Sequence, residues 1–100
     1  MEKLSKADVQ SIYNQCYRLV KRKPPEFFIF EKLKVCGLCI YDEDVIKLDH
    51  RKDVIRTAYH ECVHYLYPDY SESMVKYIES RIVNVCNPLD LSYFYVQFKK

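Results

Sequence analysis

The chain has one glycine in 100 residues, no long apolar run and almost no net charge. Each shortage excludes something. With so little glycine and about half its residues apolar, the sequence is that of a globular domain rather than a disordered tract. No apolar stretch approaches the roughly 20 residues that cross a bilayer. The opening "MEKLSKAD" is polar and lacks the apolar centre of a signal peptide. A formal charge of +2, with both signs spread along the chain, lacks the basic stripe of a nucleic-acid binder. The one basic run, Lys21-Arg22-Lys23, fits a helix C-terminus, where cations complement the dipole. Five cysteines, an odd number at scattered positions, are not a disulfide framework. No repeat, linker or low-complexity segment is present. These features predict a soluble, cytoplasmic protein of one domain.

Periodicity supplies the elements. Ser5 and Asp8 form a capping box ahead of Val9, Ile12, Tyr13, Cys16, Leu19 and Val20, which predicts a helix over 6–22 stopped by Pro24-Pro25. "FFIFEKL" at 27–33 reads as a strand. Apolar residues at 38–41, the turn "DED" and the alternating "VIKL" at 45–48 read as a hairpin, giving three strands in an antiparallel or mixed sheet. Asp49 can cap a helix over about 50–67 with Asp53 in its first turn, and Pro68 ends it. Asp69 and Glu72 form a D-x-x-E box for a further helix over about 70–86, with Met74, Val75, Ile78, Ile82 and Val85 on its core face and Asn87-Pro88 beyond. The remainder, "LDLSYFYVQFKK", fits a helix or a strand equally well and is too apolar to lie free in water. The expectation is α+β: an N-terminal helix, a small twisted sheet, two antiparallel helices and a C-terminal packing segment over 88–100.

The chemistry concentrates in "YHECVHYLYPDYSE", residues 59–72. His60 and His64, two of only three histidines, are spaced i, i+4, about 40° apart on the helical wheel and away from Ile55, Ala58, Tyr59, Cys62 and Leu66. Two imidazoles so placed can reach one Zn²⁺ at about 2.0–2.1 Å. Glu61 follows His60 and is rotated off that line, a place for a general base rather than a ligand. A catalytic zinc needs a third protein ligand. Asp69, Glu72 and Glu79 are downstream. If the next helix runs back antiparallel, Glu72 near its start lies level with His64, and Glu79, about two turns further on, overshoots. Glu72 is the first choice and Glu79 the second; a capping role alone is the bland reading of Glu72. His50 stands about ten residues before His60 and reads as a surface or capping residue. Cys36 and Cys39, in "CGLC", could form half a zinc ribbon or a redox pair, but no second C-x-x-C exists and no helix follows, so they read as sheet residues. Cys62 reads as packing.

"GLCIYDEDVIKLD" followed by "TAYHECVHYLYPDYSE" resembles the core of gluzincin metallopeptidases, and the chain length resembles the minigluzincins most. The likeness covers about 27–86. It implies a zinc-dependent endopeptidase site with His60 and His64 as ligands and Glu61 as general base and acid. It implies a cleft lined by the strand near 38–41, on which an extended peptide pairs, and kinship with the catalytic domains of CAAX-prenyl endopeptidases, without their membrane helices. It also implies a latent zymogen silenced by its C-terminal segment. The interval from His64 to the next glutamate is shorter than in thermolysin-like enzymes, which bears on the third ligand. Tyr67, Tyr70, Arg81 or a tyrosine of the tail are candidate oxyanion stabilisers. The C-terminal segment is expected to bury its aromatic residues near the cleft, within one chain or across a homodimer or higher oligomer. The competing reading is a non-catalytic metal-binding module that oligomerises through that segment.

Overall fold

The computed structural model describes residues 4–49, 51 and 54–86. Asp53, His50 and the segment from Asn87 onward, with its expected packing over the cleft, lie outside the described residues. Among the described residues three helices and a three-stranded sheet make an α+β fold. Helix α1 is Lys6–Arg22. The Ser5 side chain accepts from the Asp8 N–H, and the Asp8 side chain accepts from the Ser5 N–H, closing the expected capping box. Lys21 and Arg22 occupy its last turn, as the dipole favours.

The aromatic run after the two prolines is shorter as a strand than its composition suggests. Pro25–Phe27 form a 3₁₀ turn, and only Phe28–Phe30 pair, as β1. Phe27 is drawn into the core, edge-on to Phe28 and Tyr65, so it cannot continue the strand. β2 is Gly37–Ile40 and β3 is Val45–Leu48, an antiparallel hairpin with Cys39 opposite Ile46. Its turn is closed by the Asp44 N–H donating to the Tyr41 carbonyl at 3.2 Å. Asp44 has φ 54°, in the left-handed region that Asp tolerates better than most residues. β1 runs parallel to β3, so the order is β1-β3-β2, the sheet is mixed, and β2 is an edge.

Helix α2 is Val54–Leu66, beginning later than the sequence suggests, and α3 is Glu72–Val85. α2 packs against α1, α3, β2 and β3, which makes it the central element. Ala58, Tyr59, Cys62 and Val63 are buried in one core with Ile46, Leu48, Val75, Ile78 and Ile82. Burying such side chains contributes about 1.5–3 kcal/mol each. The D-x-x-E box before α3 does not form. Ser71 is the N-cap, its hydroxyl accepting from the Met74 N–H at 3.1 Å. A residue at the first helical position has its side chain free to point elsewhere, and Glu72 occupies that position. Among the described residues no helix is long and apolar enough to cross a membrane.

Asp49 is 1% exposed and organises the link between sheet and α2. Its carboxylate accepts from the Leu33 N–H at 3.0 Å, from the Arg51 N–H, and from the Arg51 guanidinium at 2.6 and 2.9 Å. Its own N–H donates to the Cys36 carbonyl at 3.0 Å. The loop that carries Val35 and Cys36 is therefore pinned to Asp49 twice, at Leu33 by the carboxylate and at Cys36 by the backbone N–H. The Arg51 guanidinium, with the Leu33 N–H, holds that carboxyl well below the usual carboxylate range. A carboxyl depressed in the folded state contributes stability above its unfolded pKa of about 3.9 and loses it as pH falls through the folded value. Asp49→Asn should lower the urea midpoint at pH 7 and flatten its fall below about pH 4. Urea unfolding of both proteins at stepwise lower pH checks this; parallel curves would contradict it.

Candidate metal centre and cleft

The polar stripe of α2 does not face open water. His60 is 9% and Glu61 7% exposed, because α3 covers one side of the stripe and β2 stands on the other. The histidines lie off the core face, on the floor of a cleft between α3 and β2, where an imidazole or carboxylate must find partners.

α3 supplies those partners in order. Going up α2 from Arg56 to His60 to His64, the contacts on α3 descend from Ser80 and Glu79 to Glu72, so the helices are antiparallel. Glu72 spans both histidines: its Oε1 lies 2.7 Å from His60 Nε2 and its Oε2 2.8 Å from His64 Nε2. The two rings stand 5.0 Å apart at 61°. Glu79 Oε1 lies 2.8 Å from the other nitrogen of His60, Nδ1, while its Oε2 accepts from Arg56 Nε. Arg56 also donates to Ser80 Oγ at 3.2 Å.

The sequence candidates thus separate. His60, His64 and Glu72 come together, each offering one atom within 4.8 Å of the others, a group that can hold a metal ion. A tetrahedral ion with bonds of about 2.1 Å spaces its ligand atoms by about 3.4 Å, so small rotations would admit one. Glu79 does not overshoot. It reaches the back of His60, where a carboxylate orients a ligating imidazole. The chemistry of His60 also suits a cation. A neutral imidazole has one N–H. Donating it to Glu79 leaves the Nε2 lone pair facing Glu72 Oε1, and a cation between them would satisfy both.

Burial pushes the Glu61 carboxyl up, against the pull of His60 and His64. Burial also acts to raise Glu72, but the hydrogen bond from His64 and the two histidine charges outweigh it, and its carboxyl stays low. Adjacent glutamates on one cleft are thus driven apart, one towards holding a proton and one away from it.

These residues floor an open cleft of about 890 Å³, walled by Val35–Cys39 and Tyr41 on one side and by Glu72, Lys76, Glu79 and Ser80 on the other. Leu38, at 43% exposed, and Val35 present apolar surface along the free edge of β2. Cys39 lies in β2 and Cys36 just before it, both free thiols; burial pushes Cys39 up to about 11, which makes it a poor thiolate. Cys62 is fully buried against Cys16, as packing.

Of the candidate oxyanion residues, Tyr67, Tyr70 and Arg81 lie away from the cleft, and the tail tyrosines lie outside the described residues. Tyr67 donates to Gln15 Oε1 at 2.8 Å and stacks on Tyr70, while Arg81 donates to the Leu4 carbonyl and to Tyr77. Their side chains are committed to the α1 side of the molecule. The cleft instead contains Tyr41, whose hydroxyl donates to the His64 carbonyl at 2.7 Å. Arg56 also belongs to the site, and its i, i+4 spacing to His60 is a visible signal; the resemblance puts Tyr41 on the strand near the cleft, but nothing in the sequence links its hydroxyl to α2.

Compared with protein-family models, with curated proteins and with solved structures, the chain matches none.

The single glycine has a specific place in this site. A β-carbon on Gly37 would lie 2.8 Å from Thr57 Cγ2 and 3.1 Å from both Glu61 Cγ and Leu48 Cδ2. Alanine in a strand is intrinsically better than glycine by about 0.5–1 kcal/mol. Forcing a methyl into packed surroundings costs about 1–3 kcal/mol, and branched Thr57 has little freedom to turn away. The clash should win. Gly37→Ala is expected to lower stability by about 1–2 kcal/mol in denaturant titration, whereas an unchanged or raised midpoint would show that β2 can retreat from α2 freely.

Proposed function

We propose that the chain is a zinc-dependent metallopeptidase of gluzincin type, and specifically one related to the minigluzincins. The observation that carries this reading is Glu72 bridging the two Nε2 atoms of the HExxH histidines at 2.7 and 2.8 Å, inside an open cleft with buried Glu61 beside it. Two imidazoles and one carboxylate are a donor set suited to catalytic Zn²⁺. His60, His64 and Glu72 would hold the ion, and Glu79, backed by Arg56, would keep His60 Nδ1 protonated and its ring aligned. When bound, such an ion polarises a scissile carbonyl and brings the pKa of water to about 7.

The chain's own residues would do the rest. Glu61, at the turn of α2 next to His60, takes a proton on its carboxylate as water attacks, and returns it to the departing amine nitrogen. Its burial suits both directions of transfer, since a carboxyl raised above its ordinary value is a better proton donor near neutral pH than an exposed one. The free edge of β2 offers backbone groups to an extended peptide, and Leu38 and Val35 offer apolar contact. Peptide or protein substrates follow from this shape. The latent state implied by the family likeness concerns residues 88–100 and is part of this proposal only as an expectation.

Titration of the chelator-treated protein should give one zinc per chain. His64→Ala and Glu72→Ala should each abolish tight binding, and Glu79→Gln should weaken it about 10–100-fold. The double variant Cys36→Ser/Cys39→Ser should leave it unchanged; loss of zinc there would move the site to the thiols. Glu61→Gln should retain zinc and lose cleavage of an unstructured protein substrate such as casein. Cleavage by that variant at the parent rate would refute the assignment. A chain that binds one zinc yet cleaves nothing, even with residues 88–100 removed and the fold intact, would be the non-catalytic metal-binding module.

A further inference from the structure

The end of α2 contains a carbonyl that its helix cannot satisfy. In an α-helix the His64 carbonyl would accept from the N–H of the residue four positions on, which is Pro68 and has none. The preceding carbonyl, of Val63, is taken by the Tyr67 N–H at 2.8 Å. For His64 the donor comes from the other side of the cleft: the Tyr41 hydroxyl, at 2.7 Å. Tyr41 is the residue immediately after β2, and its carbonyl closes the hairpin turn. Its ring lines the cleft while remaining 49% exposed.

A second bond ties the same turn to the same helix. Tyr65, next to His64, donates its hydroxyl to Asp44 Oδ1, and Lys23 pairs with Asp44 Oδ2 at 2.8 Å. The hairpin tip is thus held to α2 by two phenols from opposite directions, Tyr41 reaching in and Tyr65 reaching out. At its other end β2 is held against α2 by the close approach at Gly37. Between these points, among the described residues, no strand pairs with β2 on the side away from β3.

We propose that Tyr41 is a positioning residue, whose hydroxyl, by taking the carbonyl that Pro68 leaves open, fixes the edge strand β2 at a set distance from the turn of α2 that carries His64. In the hydrolytic reading of this site, on which the kinetic part rests, the bond sets how far a peptide paired to β2 lies from His60, Glu61 and His64. The outer bond of Tyr65 to Asp44 keeps the hairpin formed when the inner one is removed, so Tyr41→Phe should fold.

The test is Tyr41→Phe in the full chain loaded with Zn²⁺, compared with the parent by amide hydrogen exchange, zinc affinity and peptide kinetics. Exchange over residues 37–46 should quicken several-fold, while exchange over 54–66 and zinc affinity stay within about threefold of the parent. Unchanged exchange in the hairpin would overturn the tether, and equal loosening of α2 would reduce Tyr41 to a helix cap. The ratio kcat/KM should fall about tenfold, mostly in kcat, since small misplacements of a reacting bond are costly; unaltered kinetics in a protein with a loosened hairpin would overturn the positioning role. Adding Pro68→Ala supplies the missing N–H, and should leave the hairpin loosened. Recovery of the parent's slow hairpin exchange in that double variant would show that only the carbonyl mattered, and would overturn the proposal. If the parent cleaves no peptide either as the full chain or with residues 88–100 removed and the fold intact, the hydrolytic reading falls, while the exchange comparison still decides the tether.

Discussion

Glu72 between His60 and His64 is the contact on which the arrangement of the polar layer depends. Two histidines and a glutamate on the covered stripe of a central helix are expensive to leave unpaired, since a buried polar group without a hydrogen bond costs several kcal/mol. α1, β2, β3 and α3 pack against α2, so His60 and Glu61 are largely covered and meet water only through the cleft. Among the described residues, α3 is the element that runs along the stripe with side chains of the right chemistry. The antiparallel pairing of α2 and α3 therefore has two causes: Val75, Ile78 and Ile82 bury against the core, and Glu72 and Glu79 match the nitrogens on α2.

The details of helix capping make that match available. Had Glu72 closed a box with Asp69, its carboxylate would have been spent on backbone N–H groups at the start of α3. Ser71 takes the cap instead, through its bond from Met74 N–H, and the glutamate one position later is free to turn inward. Glu79, seven residues on and so two turns along the same face, meets His60 from behind and Arg56 beyond it. The result is a row that alternates between the two helices along their interface: Ser80, Arg56, Glu79, His60, Glu72, His64.

Much of this was legible in the chain and some of it was not, for identifiable reasons. The capping box at Ser5 and Asp8, the heptad-like stripe of α1 and the alternation of "VIKL" are local signals, and local signals fixed those elements. The strand at 27–33 shrank to Phe28–Phe30 because Phe27 was claimed by a tertiary contact with Tyr65 that propensity cannot see. The place of Glu72 beside His64 followed from rise per residue once a short reversal was assumed, but that same ruler put Glu79 too far along. It reaches because it addresses His60, one turn back from His64, at its opposite nitrogen. Tyr67, Tyr70 and Arg81 looked suitable by proximity in sequence, yet their side chains face α1 and the N-terminus. Tyr41 is separated from His64 by more than twenty residues, and no periodic pattern links a hairpin turn to a helix end.

Gly37 and Pro68 act on the same interface from different ends. Gly37 lets β2 come so near α2 that even a methyl would meet Thr57, Glu61 and Leu48. Pro68 removes an N–H and so leaves a carbonyl for a side chain of the hairpin to find. One residue therefore works by lacking a side chain and the other by lacking a donor. Neither loss has any value within its own element, since glycine weakens a strand and proline ends a helix. Their use becomes visible only between elements, where β2 must lie close to Glu61 without displacing it and must stay in line with His64. Among the described residues β2 is an edge strand held against α2 at both ends, and in the proposed reading an extended chain would pair along it beside the polar centre.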